Sequence, residues 1–167
     1  MMASGKTTVA QALAARFERS VHLKGDAFRR FIVNGQAPLS LDLSEEGERQ
    51  LLLRYEIAAE AARRYLKAGF TVVYQDIILG RTLETVVSRF AGLPLTVIVL
   101  APDAQTIAHR EANRGKSGYK NTAEIARFDQ VLREETPKLG TWIDSSSLTV
   151  RETVDKIVLA AESGASS

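Results

Sequence analysis

The chain opens with Met1-Met2-Ala3-Ser4-Gly5-Lys6-Thr7-Thr8. Within this stretch, Gly5-Lys6-Thr7 matches the second half of Gly-x-x-x-x-Gly-Lys-[Ser/Thr], the Walker A pattern in which a glycine-rich loop surrounds phosphate groups. The first glycine of the pattern would lie one residue before Met1. Gly-Lys-Thr alone is also compatible with a surface turn before a helix. Its place at the start of the amphipathic segment 6–19 favours the phosphate loop.

A phosphate loop assigns a separate task to each of these residues. We expect the backbone N–H groups around Ser4 and Gly5 to wrap the phosphates, assisted by the positive end of the helix that starts at Lys6. The Lys6 ammonium would lie against the β- and γ-phosphates, and the Thr7 hydroxyl would ligate magnesium. Thr8 is the last of the nucleotide-binding residues predicted in the loop itself.

Beyond the loop, short apolar runs alternate with segments of helical periodicity. The predicted strands are Val21–Leu23, Phe70–Tyr74, Leu95–Leu100 and Thr141–Ile143. The predicted helices are 6–19, 27–33, 44–67, 82–90, 103–114, 122–135 and 149–162. Strands that alternate with helices indicate βαβ units, and therefore a three-layer α/β domain with a parallel sheet. Two helix starts carry capping-box patterns, Asp42 with Glu45 and Thr149 with Glu152.

A loop of this kind normally follows a strand, and the sequence shows none before Gly5. We therefore expect the native protein to have a longer N-terminus and a parallel sheet of about five strands, the first of which is absent from this chain.

Composition excludes several classes of site. There are no cysteines, which rules out disulfides, thiolate metal sites and thiol nucleophiles. The net charge of +2 comes from interspersed acids and bases, and this disfavours a nucleic-acid partner. The longest apolar run, residues 93–101, is too short to span a membrane. A cytoplasmic protein that acts on a small-molecule substrate is the expectation.

Several motifs along the chain together carry a family resemblance. They are Gly5-Lys6-Thr7-Thr8, Gly25-Asp26, the segment 74–80, the segment 110–115 and Trp142-Ile143-Asp144-Ser145. By these residues the chain resembles P-loop small-molecule kinases of the chloramphenicol phosphotransferase-like type, which are related to gluconate, shikimate and adenylate kinases. The resemblance covers nearly the whole chain and implies the P-loop NTPase fold, ATP and Mg²⁺ as cofactors, and phosphate transfer to a hydroxyl group.

The resemblance also implies roles for single residues. Asp26 would orient the acceptor hydroxyl and take its proton, so that it acts in catalysis together with Lys6 and Arg114. Arg110 and Arg114 would also contact the nucleotide from a lid over about residues 110–122. Asp144 would lie beside the adenine. Such kinases often carry two acids at the end of the next strand, whereas this chain has Gln75 before Asp76, so Asp76 is expected to hold magnesium through water or to bind the acceptor.

The sequence leaves some alternatives open. Residues 1–163 are expected to form one kinase domain, followed by a disordered tail over 164–167. A nucleotide or polynucleotide kinase is one rival interpretation, and a non-catalytic ATP-binding module is another. The segment 28–53 is expected to shape the acceptor pocket, and its mixture of apolar and polar residues specifies no acceptor.

Overall fold

The computed structural model describes residues 3–38, 40–113, 119 and 121–164. These residues divide into two compact units. The first, which we call the continuous unit, comprises residues 13–76. The second, which we call the discontinuous unit, combines residues 3–12 with the described residues from Ile77 onward.

Helices and strands alternate along the chain, as the sequence predicts. In chain order they are α1 (Lys6–Ala14), β1 (Ser20–Lys24), α2 (Gly25–Arg30), α3 (Glu45–Lys67), β2 (Thr71–Gln75), α4 (Thr82–Ser88), β3 (Ile98–Leu100), α5 (Ala104–Ala112), α6 (Thr122–Gln130), a π-helical turn (Val131–Glu135), β4 (Thr141–Ile143) and α7 (Val150–Gly164). Among the described residues, no helix is both long enough and apolar enough to cross a membrane.

The continuous unit is a parallel strand pair covered by a long helix. Strands β1 and β2 pair in register from Ser20 opposite Thr71 to Lys24 opposite Gln75. Helix α3 packs against both strands. Its buried hydrophobic residues are Tyr55, Ala58, Ala59 and Ala62, and Arg54 is buried beside them. Because the strands are parallel, the residues that follow them, Gly25-Asp26 and Asp76, lie at the same edge of the pair.

The discontinuous unit contains a second parallel pair, β3 with β4, in which Ile98 lies opposite Thr141. The backbones approach closely where β4 begins. Gly140 has a φ of +71°, and a Cβ atom at this position would overlap the carbonyl oxygen of Val97. Only glycine fits both the left-handed backbone and this contact.

The structure corrects several predicted boundaries. Helix α1 ends at Ala14 rather than Arg19, and α7 continues to Gly164, where a tail was expected. The predicted helix 122–135 changes to a π-helical turn after Gln130. The Asp42–Glu45 capping box is wrong, because Ser44 is the N-cap and its side chain accepts from the N–H of Gly47. The Thr149–Glu152 box is confirmed by reciprocal hydrogen bonds.

The expected single sheet of about five strands is present only as two short parallel pairs among the described residues. The α/β character and the parallel pairing are confirmed. The larger strand count and the single-domain organisation stay predictions.

Candidate functional site

The phosphate-loop candidate has the backbone of a tight loop that leads into a helix. Ala3 and Gly5 both lie in the left-handed region, with φ values of 54° and 87°. The carbonyl of Gly5 accepts from the N–H of Val9 at 3.0 Å, so α1 begins directly after the loop. A turn of this kind, followed by a helix N-terminus, presents backbone N–H groups to an anion.

The side chains of Lys6 and Ser4 form a hydrogen bond within this loop. The Lys6 ammonium donates to the Ser4 hydroxyl at 3.1 Å, and Ser4 is almost completely buried. The lysine is therefore held back over the loop. Thr7 and Thr8 are exposed residues in the first turn of α1.

Arg110 lies beside the loop. Its Nη2 donates to the carbonyl of Ser145 at 3.0 Å. Its Nη1 lies 3.8 Å from the position that a Cβ atom on Gly5 would occupy. The discontinuous unit thus brings the predicted loop, the predicted lid arginine and the residue after Asp144 together, although 35 positions separate Arg110 from Ser145.

A hydrogen-bond network fixes the helix that carries Arg110. Asp103 caps α5 by accepting from the N–H of Thr106 at 2.6 Å, and its own N–H donates to the Ser146 hydroxyl at 2.8 Å. Asp144 accepts from both the N–H and the hydroxyl of Ser146. These hydrogen bonds hold the pKa of Asp103 and of Asp144 below the usual range, Asp103 through Thr106 first and Asp144 through Ser146.

Two consequences follow for the predicted nucleotide residues. Asp144, expected beside adenine, uses its carboxylate on Ser146, and its contact with a nucleotide stays a prediction. The hydrogen bond between Asp103 and Ser146 was not predicted, because nothing local in the sequence links a serine after β4 to the cap of α5.

The predicted lid lies partly outside the described residues, and this includes Arg114. Within the described part of the predicted lid, Glu111 is buried and accepts from the N–H of Tyr119 at 3.2 Å. The Tyr119 ring packs edge-on against Phe128 at 5.4 Å between ring centroids. Tyr119 is thereby anchored to α5 and α6.

In the continuous unit, Asp26 is exposed. It lies in the first turn of α2, directly after β1, and its side chain is 55% accessible. Its carboxylate is 3.4 Å from Arg30, one turn further along the helix. An exposed pair of this kind contributes little to stability, so the Asp26 carboxylate can exchange Arg30 for another partner.

Asp76 has a different environment, because its side chain is only 1% exposed. Its Oδ1 pairs with Arg54 at 3.0 Å, and its Oδ2 accepts from the Tyr74 hydroxyl at 2.9 Å. A magnesium ion on this carboxylate would compete with both partners. Among the described residues, no three histidine, aspartate or glutamate side chains are grouped as a metal site requires. The metal role of Asp76 stays a prediction.

Two tyrosines beside Asp76 make alkaline instability an expected property. Burial, followed by the charge of Asp76, raises the pKa of both Tyr55 and Tyr74 above the ordinary value of 10.0. When folding raises the pKa of a tyrosine, the neutral side chain stabilises the folded state. This contribution is fully present below the pKa of the unfolded chain and is lost progressively as the pH rises above that pKa. We expect the free energy of unfolding to fall above pH 10 by up to about 1.4 kcal/mol per pH unit for each tyrosine.

Urea unfolding between pH 8 and pH 11.5 measures this slope. Tyr74→Phe should remove a large part of it, whereas Tyr65→Phe, at a residue that is 42% exposed, should leave it unchanged. An equal slope in all three proteins would contradict the assignment.

Comparisons with known proteins agree with this architecture. The family model described as an AAA domain matches residues 1–137. The tunicamycin resistance protein of Deinococcus radiodurans has a similar fold, with a TM-score of 0.65 and 19% identity over 93% of this chain and 88% of that one. A sugar kinase from Janibacter sp. HTCC2649 has a TM-score of 0.61 and 21% identity over 96% of this chain and 87% of that one. No curated protein matches the chain in sequence.

Proposed function

The chain belongs to the AAA domain family that its residues 1–137 match, and on this premise we propose that it is a P-loop kinase. The proposed reaction is the magnesium-dependent transfer of the γ-phosphate of ATP to a hydroxyl group of a small-molecule acceptor. The observation that carries the proposal is the position of the Arg110 guanidinium beside Gly5, at the loop from which Lys6 projects.

The residues of the loop are suited to bind a nucleoside triphosphate. The left-handed backbone at Gly5 and the start of α1 supply N–H donors. Lys6 and Arg110 supply two positive charges beside them, and Arg110 keeps Nη1 on the loop side while Nη2 binds Ser145. Guanidinium and ammonium groups complement the charge that develops on a transferred phosphoryl group.

Thr7 is the proposed magnesium ligand, because it is an exposed hydroxyl-bearing residue in the first turn after the loop. When bound, Mg²⁺ neutralises charge on the phosphate oxygens. Asp76 is not proposed as a direct ligand, because Arg54 and Tyr74 already hold its two oxygens, and it would contact magnesium only through a bound water.

Asp26 is the proposed acceptor-side catalytic residue. In the reaction, the acceptor oxygen bonds to the γ-phosphorus, the bond from that phosphorus to the β–γ bridging oxygen breaks, and ADP leaves. The hydroxyl proton passes to the Asp26 carboxylate. Its exposure and the weakness of its ion pair with Arg30 leave this carboxylate available to a hydroxyl donor. Arg114 is proposed as a further catalytic group on the nucleotide side.

The finer family assignment is also a proposal. The motif residues around Lys6, Asp26 and Arg110 support the chloramphenicol phosphotransferase-like type. The names of two proteins of similar fold mention sugars and tunicamycin, so these compounds belong among those to be tested.

ATP consumption in the presence of magnesium tests the function. The purified chain is assayed against small alcohols, sugars, nucleosides, tunicamycin, and aminoglycoside and phenicol antibiotics, with magnesium omitted as the control. Stimulation by one class supports the kinase and names its acceptor. ATP binding without stimulation by any class would favour a nucleotide-binding module, and absence of ATP binding would overturn the proposal.

A further inference from the structure

A buried ion pair lies under the turn that carries Asp26. Arg54 and Asp76 are 3.0 Å apart, with side chains only 4% and 1% exposed. The Tyr74 hydroxyl holds the second carboxylate oxygen at 2.9 Å. Each Asp76 oxygen therefore has a partner of fixed direction, one from α3 and one from β2.

Asp76 is in direct contact with the backbone of Gly25. A Cβ atom built on Gly25 would overlap Oδ2 and Cγ of Asp76, and it would lie 3.1 Å from the Tyr74 ring. The carboxylate thus packs on the Cα atom of the residue immediately before Asp26. A shift of the carboxylate toward Gly25 would therefore displace the backbone at the start of α2.

Helix α3 also holds the far end of α2. Gln50 lies one turn before Arg54, accepts from the N–H of Ala37 at 2.9 Å and donates to the carbonyl of Gly35 at 2.7 Å. Arg29 of α2 donates to the carbonyl of Ala37 at 2.8 Å. Both ends of α2, the short helix that contains Asp26, are thereby connected to α3. The connection at the start of α2 runs through Asp76 to Arg54, and the connection at its end runs through Ala37 to Gln50.

A buried ion pair is a weak source of stability, because removing two charges from water offsets much of their attraction. An apolar pair of equal volume would fill this space as well. What the charged pair adds is a carboxylate of fixed position and orientation.

We propose that Arg54 and Asp76 are positioning residues that set the place of Asp26, and that Asp76 does not act as a metal ligand. The proposal rests on the kinase function proposed above. Misplacing a catalytic group by about 1 Å can cost about 100-fold in rate, so a support directly under Asp26 acts on turnover rather than on nucleotide binding.

The test variant combines Arg54→Met with Asp76→Asn. It removes both charges together, so no buried charge remains without its partner. The matched control is Glu60→Gln with Arg63→Met, an exposed pair on the same helix. We expect kcat of the test variant to fall about 10- to 100-fold, with KM for ATP and the magnesium concentration for half-maximal rate changed less than about twofold. The control should keep wild-type values.

Hydrogen–deuterium exchange of peptides covering residues 25–30 gives a readout that does not need turnover. Exchange should be about tenfold faster in the test variant than in wild type and unchanged in the control. If wild type shows no turnover but this difference is present, the kinase proposal fails while the support of α2 stands. Unchanged exchange, or unchanged kcat, would overturn the inference.

The magnesium dependence gives a further test. If the test variant needs more than about ten times as much magnesium for half-maximal rate, and kcat recovers at saturating magnesium, the inference is overturned and Asp76 is assigned a metal role. If circular dichroism shows the double variant to be unfolded, Arg54→Lys carries the test. It keeps the charge but loses the planar guanidinium, so kcat should fall three- to tenfold with the same magnesium requirement.

Discussion

Changing Asp26 to asparagine is expected to lower kcat by about 10²- to 10⁴-fold, the usual contribution of a positioned general base. Asparagine keeps the shape of the side chain, but its amide cannot take the proton of an acceptor hydroxyl. Because Asp26 is exposed and pairs only weakly with Arg30, the substitution should leave the thermal midpoint and the Kd for ATP unchanged. Steady-state kinetics and calorimetric ATP titration measure the two effects separately.

Asp155→Asn is the matched control, since Asp155 forms an exposed ion pair with Arg151 one turn away on α7. It should keep full activity. Turnover in Asp26→Asn within threefold of wild type would remove Asp26 from the catalytic role. A parallel loss of ATP binding would show instead that the substitution disturbs the fold.

The sequence predicted the parts of this protein that local patterns determine. Alternation of short apolar runs with segments of helical periodicity predicted the location of all four described strands. The Thr149–Glu152 box was also predictable, since a capping box involves only four consecutive residues.

Errors arose where two local solutions compete. Asp42 and Ser44 are both good N-cap residues, and the position of the first turn of α3 chooses Ser44. The third strand was predicted to span Leu95–Leu100, but only Ile98–Leu100 pairs with β4. The predicted strand was longer because the whole segment is largely apolar, whereas the observed β3 is limited by the three residues of β4.

The partners of the site residues could not be predicted. Arg54 and Asp76 are 22 positions apart and lie on a helix and after a strand, so only tertiary packing brings them together. Asp76 was predicted to be functional because it follows the end of a strand. Nothing in the sequence indicated that its carboxylate would be buried in an ion pair with Arg54. The bond from Arg110 to the carbonyl of Ser145 is of the same kind, because a backbone acceptor has no sequence signature.

Replacing Lys6 with methionine is expected to weaken ATP binding about 10- to 100-fold and to lower kcat by a further 10²- to 10³-fold. The first effect is the loss of charge-assisted hydrogen bonds to the phosphates. The second is the loss of a cation where negative charge develops in the transition state. Methionine has nearly the volume of the lysine stem, so the half-buried side chain can keep its packing.

The structure suggests a second explanation that the experiment must separate from the first, because the Lys6 ammonium binds the Ser4 hydroxyl at 3.1 Å. Lys6 could support the loop rather than contact the phosphates. Ser4→Ala breaks that bond and leaves the ammonium in place, so it should retain kcat within about tenfold if Lys6 acts directly on phosphate. Equal losses in Ser4→Ala and Lys6→Met would assign Lys6 to loop support. Lys67→Met, at an exposed lysine where α3 ends, is the control for loss of charge and should bind ATP as wild type does.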